Sequence, residues 1–242
     1  MLKVELHTHT VDDPADRIPY STSALIDRAA ALGYDALAVT LHDRQLDLTP
    51  WRRQAQERGL VLIPGVERTI DGRHVLLLNF PPVAERVESF DALRALKRQF
   101  GGLVIAPHPF YPGSTCLRAE MDRHADLFDA VEWTWFYTPG TRRFNDRAAN
   151  WARAHGKPLI ANADVHRLVQ LGTTYSLVDA ERDVEGICEA IRAGRVVPVT
   201  QPIGVVEAAS YFGSLVAAST ARSLQAWTGL LSQPAVAARP GE

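Results

Sequence analysis

The sequence predicts one α/β barrel built from consecutive βα units. Two observations predict it. Short apolar runs alternate with helical patterns of about ten to fifteen residues along most of the chain. Histidines and carboxylates also fall repeatedly at the ends of those runs, and barrel enzymes place their chemistry at the carboxyl ends of strands. No Gly/Ser linker, charge block or short repeat divides the chain, which favours one barrel over two small domains.

KVEL at 3–6 reads as the first strand. Residues 22–33 follow as a helix, with Leu25, Ile26, Ala29 and Ala30 on one face. Ser21, Thr22 and Ser23 are its N-cap candidates, and Gly33 is its stop. DALAVTL at 35–41 is the next strand, followed by a helix near 50–58. LVLIPGVE at 60–67 and HVLLLNF at 74–80 are strands, and Asp71-Gly72 between them is a tight-hairpin signal. Helices near 88–100, 117–125 and 141–155 lead to strands at 103–107, 128–134 and 158–162. A helix at 182–193 and a short strand at 195–199 complete the barrel domain, placed at 1–200. Over 204–231, Val205, Phe212, Leu215, Val216, Leu224, Trp227, Leu230 and Leu231 recur at helical spacing. The stretch 201–242 is therefore expected to be a helical extension packed on the barrel, or a homo-oligomer contact, ending in a disordered tail.

The chain has 242 residues and a net charge of −2, so composition gives no broad attraction to nucleic acid or anionic lipid. Cys116 and Cys188 are the only cysteines and form neither a disulfide framework nor a Cys-x-x-Cys zinc motif. The N-terminus has no apolar stretch long enough for a signal peptide. The longest uncharged segments, 208–221 and 223–238, are too short and polar to span a bilayer. A cytoplasmic, non-membrane protein is the expectation. No Walker loop or G-x-G-x-x-G is present, so no nucleotide cofactor is expected.

Six of the eight histidines carry the chemistry: His7 and His9 in ELHTHT, His42 in VTLHD, His74 in GRHVLLLNF, His108 in IAPHPF and His166 in NADVH. Glu67 in IPGVE and Asp164 in NADVH accompany them. Imidazole nitrogens and carboxylate oxygens are ligands of catalytic transition metals. His7 and His9, two apart on an extended strand, point the same way about 7 Å apart and can reach one ion. His74 begins a strand, but the hairpin folds it back towards Glu67. His124 and His155 lie on helical stretches and read as structural. Glu132, in VEWTWFY, ends a strand and either supports the site or shapes its pocket. Arg17, Arg143 and Arg167 neighbour the motif loops and are the candidate phosphate grips.

These motifs resemble those of the PHP superfamily, named for polymerase and histidinol phosphatase. ELHTHT is similar to its first motif, VTLHD to its second, PGVE and GRHVL to the next pair, APHP to another and NADVH to its last, in order from residue 2 to about 200. The resemblance implies a distorted (β/α)7 TIM-like barrel with a centre of two or three divalent metal ions (zinc, manganese or iron). It implies that His7, His9, Glu67 and Asp164 hold one metal. Glu67 would bridge to a second, shared with His74 and His108. His42 and His166 would hold a third, with an aspartate from the loop VDDPADR, either Asp13 or Asp16, with Asp12 beside them. The family usually has Thr-Asp-His where this chain has Thr40-Leu41-His42, and Asp43 is the nearest carboxylate to compensate. The implied activity is hydrolysis of a small phosphomonoester, or of a nucleotide or oligonucleotide phosphoester, by a metal-activated hydroxide, with Glu67, Asp164 and His166 catalytic. Hydrolysis at carbon in an amidohydrolase-like barrel, or a non-catalytic metal-binding barrel, are the alternatives.

Overall fold

The structure, a computed structural model, describes residues 1–204 and Ala208. The expected C-terminal helix and tail lie outside the described residues. Residues Met1–Pro202 form one compact unit. The strands are β1 (Leu2–Glu5), β2 (Ala36–Val39), β3 (Val61–Ile70), β4 (Arg73–Leu78), β5 (Leu103–Ala106), β6 (Ala130–Thr134), β7 (Leu159–Asn162), β8 (Tyr175–Val178) and β9 (Val196–Val199). The helices are α1 (Thr22–Ala31), α2 (Arg52–Glu57), α3 (Phe90–Phe100), α4 (Glu120–Arg123), α5 (Arg143–Ala154) and α6 (Val184–Arg192).

The strands form one sheet in the order β7-β6-β5-β4-β3-β2-β1-β8-β9. β1, β2 and β3 run parallel, as do β5, β6 and β7. The sheet is therefore less parallel than a regular βα barrel, for a local reason. The turn at Asp71-Gly72 reverses the chain, so β4 lies antiparallel between β3 and β5. β8 and β9 pair antiparallel with β1 and with each other. β8 has no counterpart among the expected strands, because no helical pattern separates YSLV from β7 and only four residues carry it.

Side chains alternate across the sheet with the period of two that strands impose. Val75, Leu77, Val104 and Ala106 pack outward on Phe90, Leu93 and Leu96 of α3 and on Met121, Phe128 and Trp151. Leu76, Leu78, Leu103 and Ile105 join Leu2, Val4, Leu6, Ile63 and Ile160, against which α6 packs Ile187, Cys188 and Ile191. Helix starts follow the sequence signals. The Ser21, Ser89 and Asp183 side chains accept from the amides of Ala24, Ala92 and Gly186.

The sheet nearly closes where the segment after β1 meets the segment after β7. Val165 N donates to the His7 carbonyl at 3.0 Å, and His9 N donates to the Val165 carbonyl at 3.1 Å. Below that bridge the seam is made by side chains. Asn162 Oδ1 accepts from Leu6 N, and Ser176 Oγ both accepts from Ala161 N and donates to Ala161 O. These contacts set the first and last histidine motifs side by side. Among the described residues, no helix is long and apolar enough to cross a membrane.

Gly65, two residues before Glu67, lets β3 lie close to its neighbours. A Cβ there would sit 2.6 Å from Leu78 Cδ2 and 2.9 Å from Thr40 Cγ2. Gly65→Ala is expected to lower stability by about 1–3 kcal/mol through overpacking, read as a lower urea midpoint at unchanged slope.

Candidate metal centre

Every motif histidine converges at one end of the barrel. His7 and His9 follow β1, His42 follows β2, Glu67 lies in β3 and His74 in β4. His108 follows β5, and Asp164 and His166 follow β7. The backbone draws these ends together. Glu67 N donates to the Leu41 carbonyl and Asp43 N to the Glu67 carbonyl, so His42 and Glu67 form an isolated parallel bridge.

Glu67 is 1% exposed and faces five imidazoles. Its Oε2 lies 3.3 Å from His7 Nε2, 3.4 Å from His9 Nε2 and 3.1 Å from His42 Nε2. Its Oε1 lies 2.8 Å from His74 Nδ1 and 3.1 Å from His108 Nε2. Asp164 Oδ1 is 3.2 Å from His7 Nε2 and 3.4 Å from His9 Nε2. The first four donors are thus His7 Nε2, His9 Nε2, Glu67 Oε2 and Asp164 Oδ1, with cross distances of 3.2–3.4 Å. A tetrahedral ion with bonds of about 2.0–2.1 Å sets its ligand atoms roughly 3.3–3.4 Å apart. His7 Nε2, His9 Nε2 and Asp164 Oδ1 are buried and lack hydrogen-bond partners among the described residues. Close but unbonded donors around one point fit a metal ion better than they fit a hydrogen-bond network. Glu67 Oε1, His74 Nδ1 and His108 Nε2 define a second such point beside it.

The outer nitrogens of these imidazoles are held from behind. Glu132 is fully buried, and its Oε2 faces His7 Nδ1 at 2.9 Å. Its other oxygen accepts from His108 N, and Asn162 Nδ2 donates to Oε2. Such carboxylate partners fix the ring and raise the basicity of a ligating histidine. Asp13 Oδ2 faces His9 Nδ1 at 2.8 Å and His42 Nδ1 at 3.0 Å, and it accepts from His42 N. Asp16 reaches the opposite side, with Oδ2 3.3 Å from His166 Nε2. The two aspartates that the sequence leaves undivided therefore occupy different places. His108 Nδ1 meets the buried Cys116 Sγ at 3.5 Å instead of a carboxylate. Leu41 is buried, while the Asp43 carboxylate turns to Arg68 Nη1 and Thr69 N. Asp13, not Asp43, lies against His42.

The electrostatics follow from this crowding. Burial favours the neutral carboxyl at Glu67, but His7 and His74 outweigh it and hold its pKa well below the usual range. Asp164 is likewise held down against burial by His7 and His166. Burial would lower His7, yet Asp164, Glu67 and Glu132 raise it well above its ordinary value. His9 goes the other way, lowered by burial and by His166. His108 and Asp164 adopt left-handed backbone, with φ of 30° and 48°. Such residues cost about 1–3 kcal/mol each and persist where their surroundings over-determine them.

Arg17, Arg143 and Arg167 are exposed, and Arg143 lies over the Phe144 ring at 4.9 Å. Arg68 is held by Asp43 and by the Val87 carbonyl. His124 stacks on Phe90, and His155 on Trp151. Sequence reasoning passed over Glu5, Asn162, Gln170 and Cys116. Glu5 is fully buried and accepts from His7 N and Ala163 N across the seam, and burial raises its carboxyl well above the usual range. The available signal was a carboxylate two residues before His7 within an apolar strand.

The family model described as PHP-associated matches residues 142–196. A two-domain protein from Bacteroides vulgatus, described as containing a predicted PHP-like metal-dependent phosphoesterase, superposes with a TM-score of 0.66. It is 21% identical, covering 88% of this chain and 69% of that one. PsfC from Pseudomonas syringae gives 0.64 at 18% identity, covering 88% of this chain and 98% of that one. The lesion-specific endonuclease PfuEndoQ from Pyrococcus furiosus gives 0.55 at 18% identity. That match covers 79% of this chain and only 56% of the endonuclease. No curated protein sequence matches this chain. At these identities the likeness to the solved structures is one of fold, and the family-model match covers residues 142–196.

Burial lowers His166, but Asp164 and Asp16 raise it to about 9. A folded pKa above the ordinary 6.5 contributes stability that is present below pH 6.5 and lost as pH climbs through about 9. In the metal-free protein the His166 ring resonances are expected to titrate near pH 9. Asp16→Asn should move that midpoint down, as read by NMR titration.

Proposed function

We propose that the protein is a metal-dependent phosphoesterase of the PHP type, acting on a small phosphomonoester or a nucleotide or oligonucleotide phosphoester. The observation that carries the reading is the group His7 Nε2, His9 Nε2, Glu67 Oε2 and Asp164 Oδ1, mutually spaced as ligands of one ion, with the nitrogens and Asp164 Oδ1 buried and unpartnered among the described residues. The fold likeness to a protein described as containing a predicted PHP-like metal-dependent phosphoesterase supports phosphorus as the centre attacked.

His7, His9, Glu67 and Asp164 would hold the first divalent ion, and Glu67 with His74 and His108 would hold the second. His42, His166 and Asp16 would hold a third. Asp13 holds His9 and His42 in orientation. Imidazole and carboxylate donors suit zinc, manganese and iron alike. Bound ions supply Lewis acidity and make a water nucleophilic near neutral pH. The rest falls to the chain. Glu67 keeps the donors of two ions in one frame, because its two oxygens point to different imidazoles. Asp164 holds the side of the centre nearest His166. With no ion at the third position, His166 is protonated over the neutral range and would instead give a proton to a departing oxygen. Arg17, Arg143 and Arg167 are exposed cations placed to meet a phosphate arriving from solvent.

Glu67→Gln tests the reading directly. It keeps the shape of the side chain but removes the charge facing five imidazoles. Bound metal after purification is expected to fall towards zero, and phosphate release from sugar phosphates, nucleotides and short oligonucleotides to drop by roughly 10²-fold or more. Circular dichroism should show the fold retained. Metal-replete native protein that cleaves amides or lactones but no phosphoester would overturn the proposal.

A further inference from the structure

Gln170 lies after the last histidine motif, in a single helical turn at Leu168–Gln170, and is 1% exposed. Its side chain spends its hydrogen-bonding capacity on one piece of backbone. Oε1 accepts from His166 N at 2.8 Å and from Arg167 N at 2.7 Å. Nε2 donates to the Ala163 carbonyl at 3.2 Å and to the Asp164 carbonyl at 3.1 Å. No other side chain described here makes four such bonds to a single loop. The same loop is tied on its other side by Glu5, which accepts from Ala163 N, and by the His7 carbonyl, which accepts from Val165 N.

This bracing bears on the centre because of what the loop must do. Asp164 sits at φ 48°, a conformation that a non-glycine residue avoids unless held. In that conformation Oδ1 lies 3.2 Å from His7 Nε2 and 3.4 Å from His9 Nε2. The second group of donors, Glu67 Oε1, His74 and His108, takes its backbone support elsewhere. His74 N donates to the Thr115 carbonyl and His108 N to Glu132. Gln170 therefore touches one half of the centre and not the other.

We infer that Gln170 is a positioning residue for Asp164 and His166, selectively required for the ions those two residues would hold and not for the one at Glu67, His74 and His108. The inference rests on the metal-centre reading above. It does not make Gln170 a catalytic residue, since the side chain reaches only backbone.

The test is chelator competition with Zn²⁺ and Mn²⁺ on the native protein and on Q170M and Q170E. Methionine keeps the length and removes every hydrogen bond. Glutamate keeps both acceptor bonds but turns an oxygen towards the Ala163 and Asp164 carbonyls. It decides the matter if Q170M does not fold. The dissociation constants of the ions at Asp164 and at His166 are expected to weaken by about 10- to 100-fold, while that of the ion at Glu67, His74 and His108 changes less than about threefold. In a His74→Ala background, where the first position remains, Q170E should weaken that position by the same factor. Equal weakening of every ion alongside a lower Tm would make Gln170 a general stabiliser and overturn the inference. Unchanged constants in folded variants would overturn it as well. Native protein that binds neither metal would instead remove the hydrolase reading beneath it.

Discussion

The structure depends on one buried carboxylate. Glu67 is inaccessible to solvent and stands among five imidazole rings, with three facing one oxygen and two facing the other. A lone carboxylate in that position would carry a large desolvation cost. Here that cost is offset by positive charge, whether protons on the imidazoles or metal ions between the ligand atoms. The two are exclusive at a given nitrogen, because a ligating imidazole must be deprotonated at the ligating atom. Metal loading and proton binding are therefore two ways of balancing the same buried charge. Burial alone would lower His7 and His108, but Asp164, Glu67 and Glu132 raise His7, and Cys116 and Glu67 raise His108, well above the ordinary imidazole value.

The arrangement of the barrel follows from the need to hold those rings still. Glu132 fixes His7, Asp13 fixes His9 and His42, and Glu5 fastens the backbone of His7 to that of Ala163. Glu5, Glu132 and Asn162 form a polar floor beneath the centre, where a barrel of this size would otherwise carry branched apolar side chains. The seam between the segments after β1 and β7 combines a short backbone bridge with side-chain bonds. Replacing one of those side chains would disturb closure and ligand geometry together. Structural and functional constraint cannot be separated at these positions, whereas they separate cleanly in the α3 and α6 cores.

Much of this was legible in the sequence because apolar runs such as HVLLLNF and LVIA alternate with helical patterns such as residues 22–33 and 88–100, which placed most elements. The Asp71-Gly72 turn correctly carried His74 back to Glu67, at 2.8 Å. The parts that stayed hidden depend on contacts between distant segments. Nothing local in VDDPADR says that Asp13 reaches His9 and His42 while Asp16 reaches His166, since that division is set by how the loop crosses the barrel end. Gln170 looks like an ordinary polar residue until its four backbone partners are seen. β8 follows β7 with no helical pattern between them, and its Ser176 faces the seam instead of an apolar layer.

The distribution of cations bears on how a phosphoester would be held. Arg68 sits near the centre but is spent on Asp43 and Val87, and Arg17, Arg143 and Arg167 are exposed. The buried part of the centre instead contributes carboxylates and imidazoles. A phosphate entering without metal would therefore meet Glu67, Asp164 and Asp16 as uncompensated like charges unless the imidazoles were protonated. With ions in place the local sign reverses, because bound divalent cations are the largest charges in such a site. Substrate affinity in the proposed phosphoesterase would then be carried by the ions, and the exposed arginines would add an attraction that salt screens within about 8–10 Å. A centre organised this way recognises the phosphoryl group strongly and the remainder of the substrate weakly. Choice among phosphoesters would then fall to the loops around the rim, which vary more readily than the ligands beneath them.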